Sequence, residues 1–218
     1  MCDTRSHRPL LRPPITILIE GSAFVQNIDA INKKISARNN PHDRVLLIDI
    51  SPTAIASHQD RVNSLRTKEK YSVTWGDMND LRLGDKTADM VINDCAINFN
   101  TLDGQNKKTI SEIKRVMKPQ NAICLFSTVV PRKFDSSFYG LDQELVPKGQ
   151  LDKSVDFYPL TFANPSTAIS RKCWPLPYYK SLLHKAGFSF HKFDDQRGKT
   201  YFPEASQISY RRFLLTLK

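Results

Sequence analysis

Two hydrophobic rhythms alternate along the chain. Residues 15–19 (ITILI) form a short apolar, β-branched run, which suits a strand covered on both faces. Glu20-Gly21-Ser22 makes a turn after it. Phe24, Ile28, Ile31 and Ile35 then recur at three- and four-residue steps, which predicts a helix with one apolar stripe. Asn39-Asn40-Pro41 ends that helix. Residues 45–48 read as a second strand closing on Asp49. Ser51 can cap the next helix with Pro52 at its first position, and that helix runs to about Arg66. Residues 71–74 are a third short strand, followed by Trp75-Gly76-Asp77-Met78. Leu81 and Leu83 lie in an irregular link, and residues 88–92 are a fourth strand running into Asn93-Asp94.

The same alternation continues. Ile110, Ile113 and Met117 share one face of a helix over 105–117, Lys118-Pro119-Gln120-Asn121 turns the chain, and residues 122–128 are a fifth strand. Strand and helix in alternation predict a doubly wound parallel sheet. Residues 129–173 break the pattern. They are rich in proline and aromatics and weak in period, and an irregular insertion of this length is either a lid or substrate loop or a structural excursion. A helix over 175–186 with Gly187 as its C-terminal cap, a strand over 188–193 and a last strand over 206–217 complete seven strands. No internal repeat and no second domain is visible. The expected organisation is a flexible arm over 1–14 and one domain over 15–218.

Composition narrows the class. Of 218 residues, 40% are hydrophobic and 25% charged, values of an ordinary globular domain with room for a large core. No apolar run nears the roughly 18 residues that span a bilayer. The N-terminus lacks the apolar centre of a signal peptide, so a cytoplasmic location is expected. Cys2, Cys95, Cys124 and Cys173 are scattered, the five histidines form no cluster, and no metal site is seen. The net charge of +10 admits nucleic acid as a partner, but no block of five or six like charges concentrates it.

These segments, taken in order, resemble the class I S-adenosylmethionine-dependent methyltransferases. The turn at Gly21, the run VLLIDIS ending near Asp49, WGDM at 75–78, ADMVINDCAINF at 88–99 and LLHKAGF at 182–188 each look like a segment of that family. The most telling is EIKRVMKPQNAICLF at 112–126, similar to a helix ending in R-V-L-K-P-G-G before an apolar strand. The departures are that Ala23 and Val25 stand where further glycines are usual, that Gly21 and Asp49 lie several residues farther apart than usual, and that Gln120-Asn121 replaces Gly-Gly. The resemblance implies a Rossmann-like seven-stranded sheet, mostly parallel, with an antiparallel hairpin at its C-terminal edge. It also implies S-adenosylmethionine as cofactor.

Ligands of open α/β sheets lie beyond the carboxyl ends of the strands. With that rule the resemblance points to Glu20, Gly21, Ser22, Asp49, Ile50, Gly76, Asp77, Met78, Asn93, Asp94 and Cys95 as cofactor contacts. Asp49 would accept from the ribose hydroxyls, Ile50 would pack on the adenine and Asp77 would meet its amino group. Asp94 is the candidate general base, needed only where the acceptor loses a proton. Asn98, Phe99, Arg132, Tyr139 and Tyr158 are candidates for the acceptor pocket. Turn capping by Asp49, Asp77 and Asp94, and core packing by the aromatics, compete with these roles. Three functions remain open at this point: methyl transfer to a small molecule, methyl transfer to RNA, and a binding module that has lost the cofactor. The first is expected to lead. The second lacks the prolines usual after the fourth strand in enzymes that methylate exocyclic base nitrogens.

Overall fold

The computed structural model describes residues 12–21, 25–100, 102–131, 174, 176–194 and 208–218. The strands are β1 (Thr16–Glu20), β2 (Arg44–Asp49), β3 (Tyr71–Trp75), β4 (Met90–Asp94), β5 (Ile123–Pro131), β6 (Phe188–Asp194) and β7 (Ile208–Leu217). The helices are α1 (Val25–Arg38), α2 (Pro52–Asn63), α3 (Asp103–Val116) and α4 (Leu176–Lys185). One sheet holds all seven strands in the order β3-β2-β1-β4-β5-β7-β6. Its first five neighbours pair in parallel, and β7 runs antiparallel to both β5 and β6. The last strand is therefore not itself the edge, because β7 is inserted between β5 and β6.

Both faces of the sheet are covered, as its uninterrupted apolar runs require. Ile17 and Ile19 of β1 and Ile92 of β4 pack with Ile28, Ile31 and Ile35 of α1 and with Val62 of α2. Leu18, Val91, Cys124 and Phe126 point the other way, against Ile110 and Ile113 of α3 and Tyr179 and Leu183 of α4. Strand alternation places neighbours in sequence on opposite faces. Ser51 caps α2, with its side chain accepting from the Ala54 N–H at 3.3 Å. Beyond Asn63 the chain leaves the helix for turns, short of the expected Arg66. β5 continues three residues past Thr128 because its extension pairs with β7 down to Pro131 opposite Ile208. The expected insertion therefore begins later than residue 129, and residues 132–173 lie outside the described part, as does most of the N-terminal arm.

The segment Arg115-Val116-Met117-Lys118 works at the amino ends of the strands. Lys86 N–H donates to Arg115 O, Ala88 N–H to Val116 O, and Lys118 N–H to Ala88 O, at 2.8–2.9 Å. Lys118 Nζ bonds the Asp89 carboxylate at 2.7 Å, and the same carboxylate accepts from Thr16 N–H at 2.8 Å. The Arg115 guanidinium grips Glu112 bidentately (2.8 and 2.7 Å). It also donates to Asp85 and to the carbonyls of Leu81 and Leu83. This planar fork ties α3 to the link before β4. Lysine cannot reproduce five directed bonds. Arg115→Lys is expected to lower unfolding free energy by about 2 kcal/mol, read as a shift of the urea midpoint. An unchanged midpoint would refute the clamp.

Candidate active site at the carboxyl ends of the strands

β1 delivers Glu20 to its carboxyl end, where the side chain is fully buried. Asn93, the matching residue of β4, donates from Nδ2 to Glu20 Oε2 at 2.8 Å, while Glu20 Oε1 has no hydrogen-bond partner. Loss of hydration pushes the Glu20 carboxyl up to about 8. The Asn93 bond opposes the rise and the charge of Glu112 adds to it. Asn93 Oδ1 accepts from the Ile97 N–H at 3.3 Å, which fixes the 3-10 turn Ala96–Phe99 over the end of β4.

That turn comes down on Gly21. Gly21 has φ +58°, and a Cβ placed there would stand 2.5 Å from the Ala96 Cβ. Its N–H donates to Ile48 O at 2.9 Å, stitching the turn to β2. The glycine thus serves both a left-handed backbone and a close approach by the chain's own turn. Cys95, just before that turn, also has a left-handed backbone, φ 58°, and its N–H donates to Ser127 O at 3.1 Å.

Asp49 closes β2. Its Oδ1 accepts from Ser51 N–H at 2.8 Å, so it does shape the entry to α2. Burial raises its pKa. The backbone N–H groups of Ser51 and Ile50 and the nearby His58 pull it down. His58, from α2, is 3% exposed with no hydrogen-bond partner on either ring nitrogen, and burial lowers its pKa. Beside Asp49, Ile50 and Trp75 are each 57% exposed, and the Trp75 indole N–H is held by Ile50 O at 3.1 Å. They form an apolar rim at the ends of β2 and β3. Gly76 follows, where a Cβ would meet the Ile48 side chain at 2.8 Å.

Asp77 Oδ1 accepts from both the backbone and the side chain of Asn79, at 2.8 and 2.9 Å. Asn79, Asn100 and Thr109 close a ring of three side-chain bonds, at 3.1, 2.8 and 2.8 Å. This ring holds the turn containing Asp77 and Met78 against α3.

Asn93 and Asp94 belong to β4 itself, two residues beyond the expected strand, so they face opposite sides of the sheet. Asp94 shares the α1 side with Ile92, and its Oδ1 accepts from Ser127 Oγ. It lines a groove of about 270 Å³ with Ile31, Leu125 and Arg212. Asn98 is fully buried. Its amide donates to the Tyr179 hydroxyl at 3.3 Å and its Oδ1 accepts from Thr128 at 3.1 Å. That position ties the turn to β5 and α4. Ser22, Arg132, Tyr139, Tyr158 and the Phe99 side chain lie outside the described residues. His58, a lone histidine in a helix, carries no signal in the sequence. Trp75 stands in the same WGDM segment as Asp77, and only its exposure beside Ile50 sets it apart.

These groups would suit a ligand that carries a cation, hydroxyls and a flat ring. An unpaired buried carboxyl oxygen at β1, an acceptor carboxylate at β2 and an apolar rim beside it are what S-adenosylmethionine would require of this edge. Gly21 does not add a cradle, since its open side is filled by Ala96.

A family model described as Methyltransferase domain matches residues 29–175, well over half of the chain and beginning past the Gly21 turn. No curated protein matches the sequence. The fold is similar to that of a SAM-dependent methyltransferase from Methanosarcina mazei, 16% identical, TM-score 0.65, with 95% of each chain covered. It is also similar to a SAM-dependent methyltransferase from Aquifex aeolicus, 16% identical, TM-score 0.58, covering 94% of this chain and 84% of that one. A third similar fold is the geranyl diphosphate C-methyltransferase from Streptomyces coelicolor A3(2), 11% identical, TM-score 0.64, covering 94% and 72%. The order and directions of the strands, the acidic carboxyl ends and this match together define a class I methyltransferase. The chain belongs to the methyltransferase-domain family, whose cofactor is S-adenosylmethionine.

Two outcomes test this geometry. Gly21→Ala meets both a strained backbone and the Ala96 methyl, and is expected to cost about 3 kcal/mol of stability. Adding Ala96→Gly should recover the steric share, so the pair is coupled in a double-mutant cycle. Strict additivity would refute the contact. Glu20 has its folded pKa raised above the unfolded value of 4.5, so the folded state holds the extra proton and stability falls as pH rises from about 4.5 through about 8. Thermal melts should show this decline in the wild type and its absence in Glu20→Gln. Parallel curves would rule it out.

Proposed function

We propose that the chain transfers a methyl group from S-adenosylmethionine to a small-molecule acceptor above the carboxyl ends of β1, β4 and β5. The observation that carries this reading is the shared edge, at which Glu20, Asp49 and Asp77 present carboxyl groups beside the exposed Ile50 and Trp75. Asp49 would accept from the ribose hydroxyls, with Ile50 and Gly76 beside the adenine and Asp77 and Met78 at its rim. Glu20, Gly21, Ser22, Asn93 and Cys95 would receive the amino-acid end. The cofactor supplies a methyl group already activated by a sulfonium. The protein's task is then to align the acceptor and exclude water. Asp94, oriented by the Ser127 hydroxyl, would take a proton from an acceptor O–H or N–H where the acceptor carries one.

The acceptor would be enclosed by residues 132–173, which connect β5 to α4 and carry Arg132, Tyr139 and Tyr158. The N-terminal part of α4 reaches the same edge, since Tyr178 donates to Asp103 and Tyr179 accepts from Asn98. A connection of this length at the ligand edge favours a compact substrate over a long polymer. Among the described residues no helix is long and apolar enough to cross a membrane. The free thiols of Cys95 and Cys124 fit a reducing, cytoplasmic setting.

One observation favours a second reading, a module that has kept the fold and lost the cofactor: Ala96 fills the space at Gly21. Calorimetry with S-adenosylhomocysteine separates the two. The enzyme reading expects binding by the wild type and a loss of about tenfold or more in Asp49→Ala, the order of one charged hydrogen bond. No binding at millimolar ligand would favour the module, whereas equal affinity in both proteins would take Asp49 out of the binding site and remove the main support of the enzyme reading. A gel shift with bulk RNA at two salt concentrations addresses the basic charge, and a steep salt-dependent shift would move the acceptor to RNA.

A further inference from the structure

The two edges of the sheet are built differently. At one, β6 carries a register shift between Phe190 and Lys192, and His191, Lys192 and Asp194 stand in its sequence. Bulges and charges of this kind discourage a further strand from pairing. At the other, β3 reads Tyr71-Ser72-Val73-Thr74-Trp75, with no charge and no proline, and its register with β2 runs without a shift. Ser72, Thr74 and Trp75 are exposed, and among the described residues β3 pairs only with β2. Gly76 N–H donates to Asp49 O at 3.0 Å, and Ser72 and Thr74 stand opposite Leu46 and Ile48. In this phase of the parallel ladder Ser72 and Thr74 turn their backbone groups to β2, and Tyr71, Val73 and Trp75 turn theirs outward. Of these outward groups, the Tyr71 N–H is taken by Lys68 O.

We propose that β3 is a homodimer interface, in which two copies of this chain pair antiparallel about a two-fold axis at Val73 and continue the sheet through both subunits. Antiparallel strands exchange bonds between residues whose backbone groups face each other. Centred on Val73, the pairing sets Val73 against the partner's Val73 and Tyr71 against the partner's Trp75, so all three outward residues are used. Ser72 then lies opposite the partner's Thr74 in a non-hydrogen-bonded pair, hydroxyl beside hydroxyl. Charge selects a second copy over an unrelated strand. Arg66, Lys68 and Lys70 precede β3 with one acid, Glu69, among them, whereas Asp77 and Asp80 follow it with no base between them. The two-fold axis lays the basic flank of each chain along the acidic flank of the other. The dimer does not depend on the cofactor.

Two strands of five residues make a small contact, so the dimer is expected at the weak end of such interfaces, forming at roughly 10–100 μM chain. Sedimentation equilibrium on the full chain should show monomer and dimer exchanging in that range. Ser72→Lys together with Thr74→Lys sets like charges opposite one another at exposed positions. It should raise the dissociation constant about tenfold or more while the far-UV circular dichroism stays unchanged. Val73→Pro removes an outward N–H and none of the bonds to β2, and should act in the same direction. Cross-linking reads the register: Ser72→Cys mixed with Thr74→Cys and oxidised with diamide should give more disulfide dimer than either variant alone. A chain that stays monomeric up to about 1 mM overturns the proposal and leaves the edge to a different protein or to solvent. A dimer that the lysine pair leaves intact puts the interface elsewhere and overturns it too, as does equal cross-linking in the mixture and in each variant alone. The wild-type and cross-linking measurements decide the matter even if Val73→Pro fails to fold.

Discussion

The candidate site hangs on one hydrogen bond, from the Asn93 amide to the Glu20 carboxyl, between the ends of β1 and β4. These are the two strands at which the sheet changes direction of growth, with β2 and β3 on one side and β5, β7 and β6 on the other. Once Asn93 is held, its second polar atom takes the Ile97 N–H and seats the 3-10 turn. The seated turn puts Ala96 against Gly21, and that contact is what excludes every side chain from position 21. The position needs glycine for reasons internal to the chain. A glycine in such a turn is therefore poor evidence of a ligand taken alone, whereas an unpaired buried oxygen beside it is stronger evidence.

The two carboxyl groups at the heart of the site are set apart by their surroundings. Glu20 is walled in, meets one neutral donor and a like charge, and prefers its proton. Asp49 is also raised by burial, and the backbone N–H groups and His58 offset that rise only in part. Neighbouring strand ends thus offer different electrostatic conditions along one edge of the sheet.

Much of the fold was legible because its strands are short apolar runs and its helices carry clean three-and-four spacing. The stretch from Arg115 to Lys118 was a good pointer to fold class, and the reason lies in its bonds to residues 86–88 and to Asp85, Glu112 and Asp89. That grip is at the amino ends of the strands, away from the site, so the segment speaks to architecture and is silent about the ligand. The site was less legible because direction depends on phase. Ending β4 at Ile92 left the directions of Asn93 and Asp94 unassigned; in the strand they point to opposite faces. Asn98, offered to an acceptor, is spent on Thr128 and Tyr179, partners 30 and 81 residues away that local pattern cannot supply. His58 gave no sequence signal, since its importance is only its position beneath Asp49.

The two tryptophans divide the molecule optically. Trp174 is 1% exposed in the core under α4, stacked on Tyr178 at 4.4 Å between ring centroids. Trp75 stands at the carboxyl end of β3, more than half exposed, its ring pinned by Ile50 O. A water-soluble quencher reaches one indole and not the other. The protein therefore carries one solvent-facing reporter at the ends of β2 and β3, with an internal reference in the core, and needs no added label.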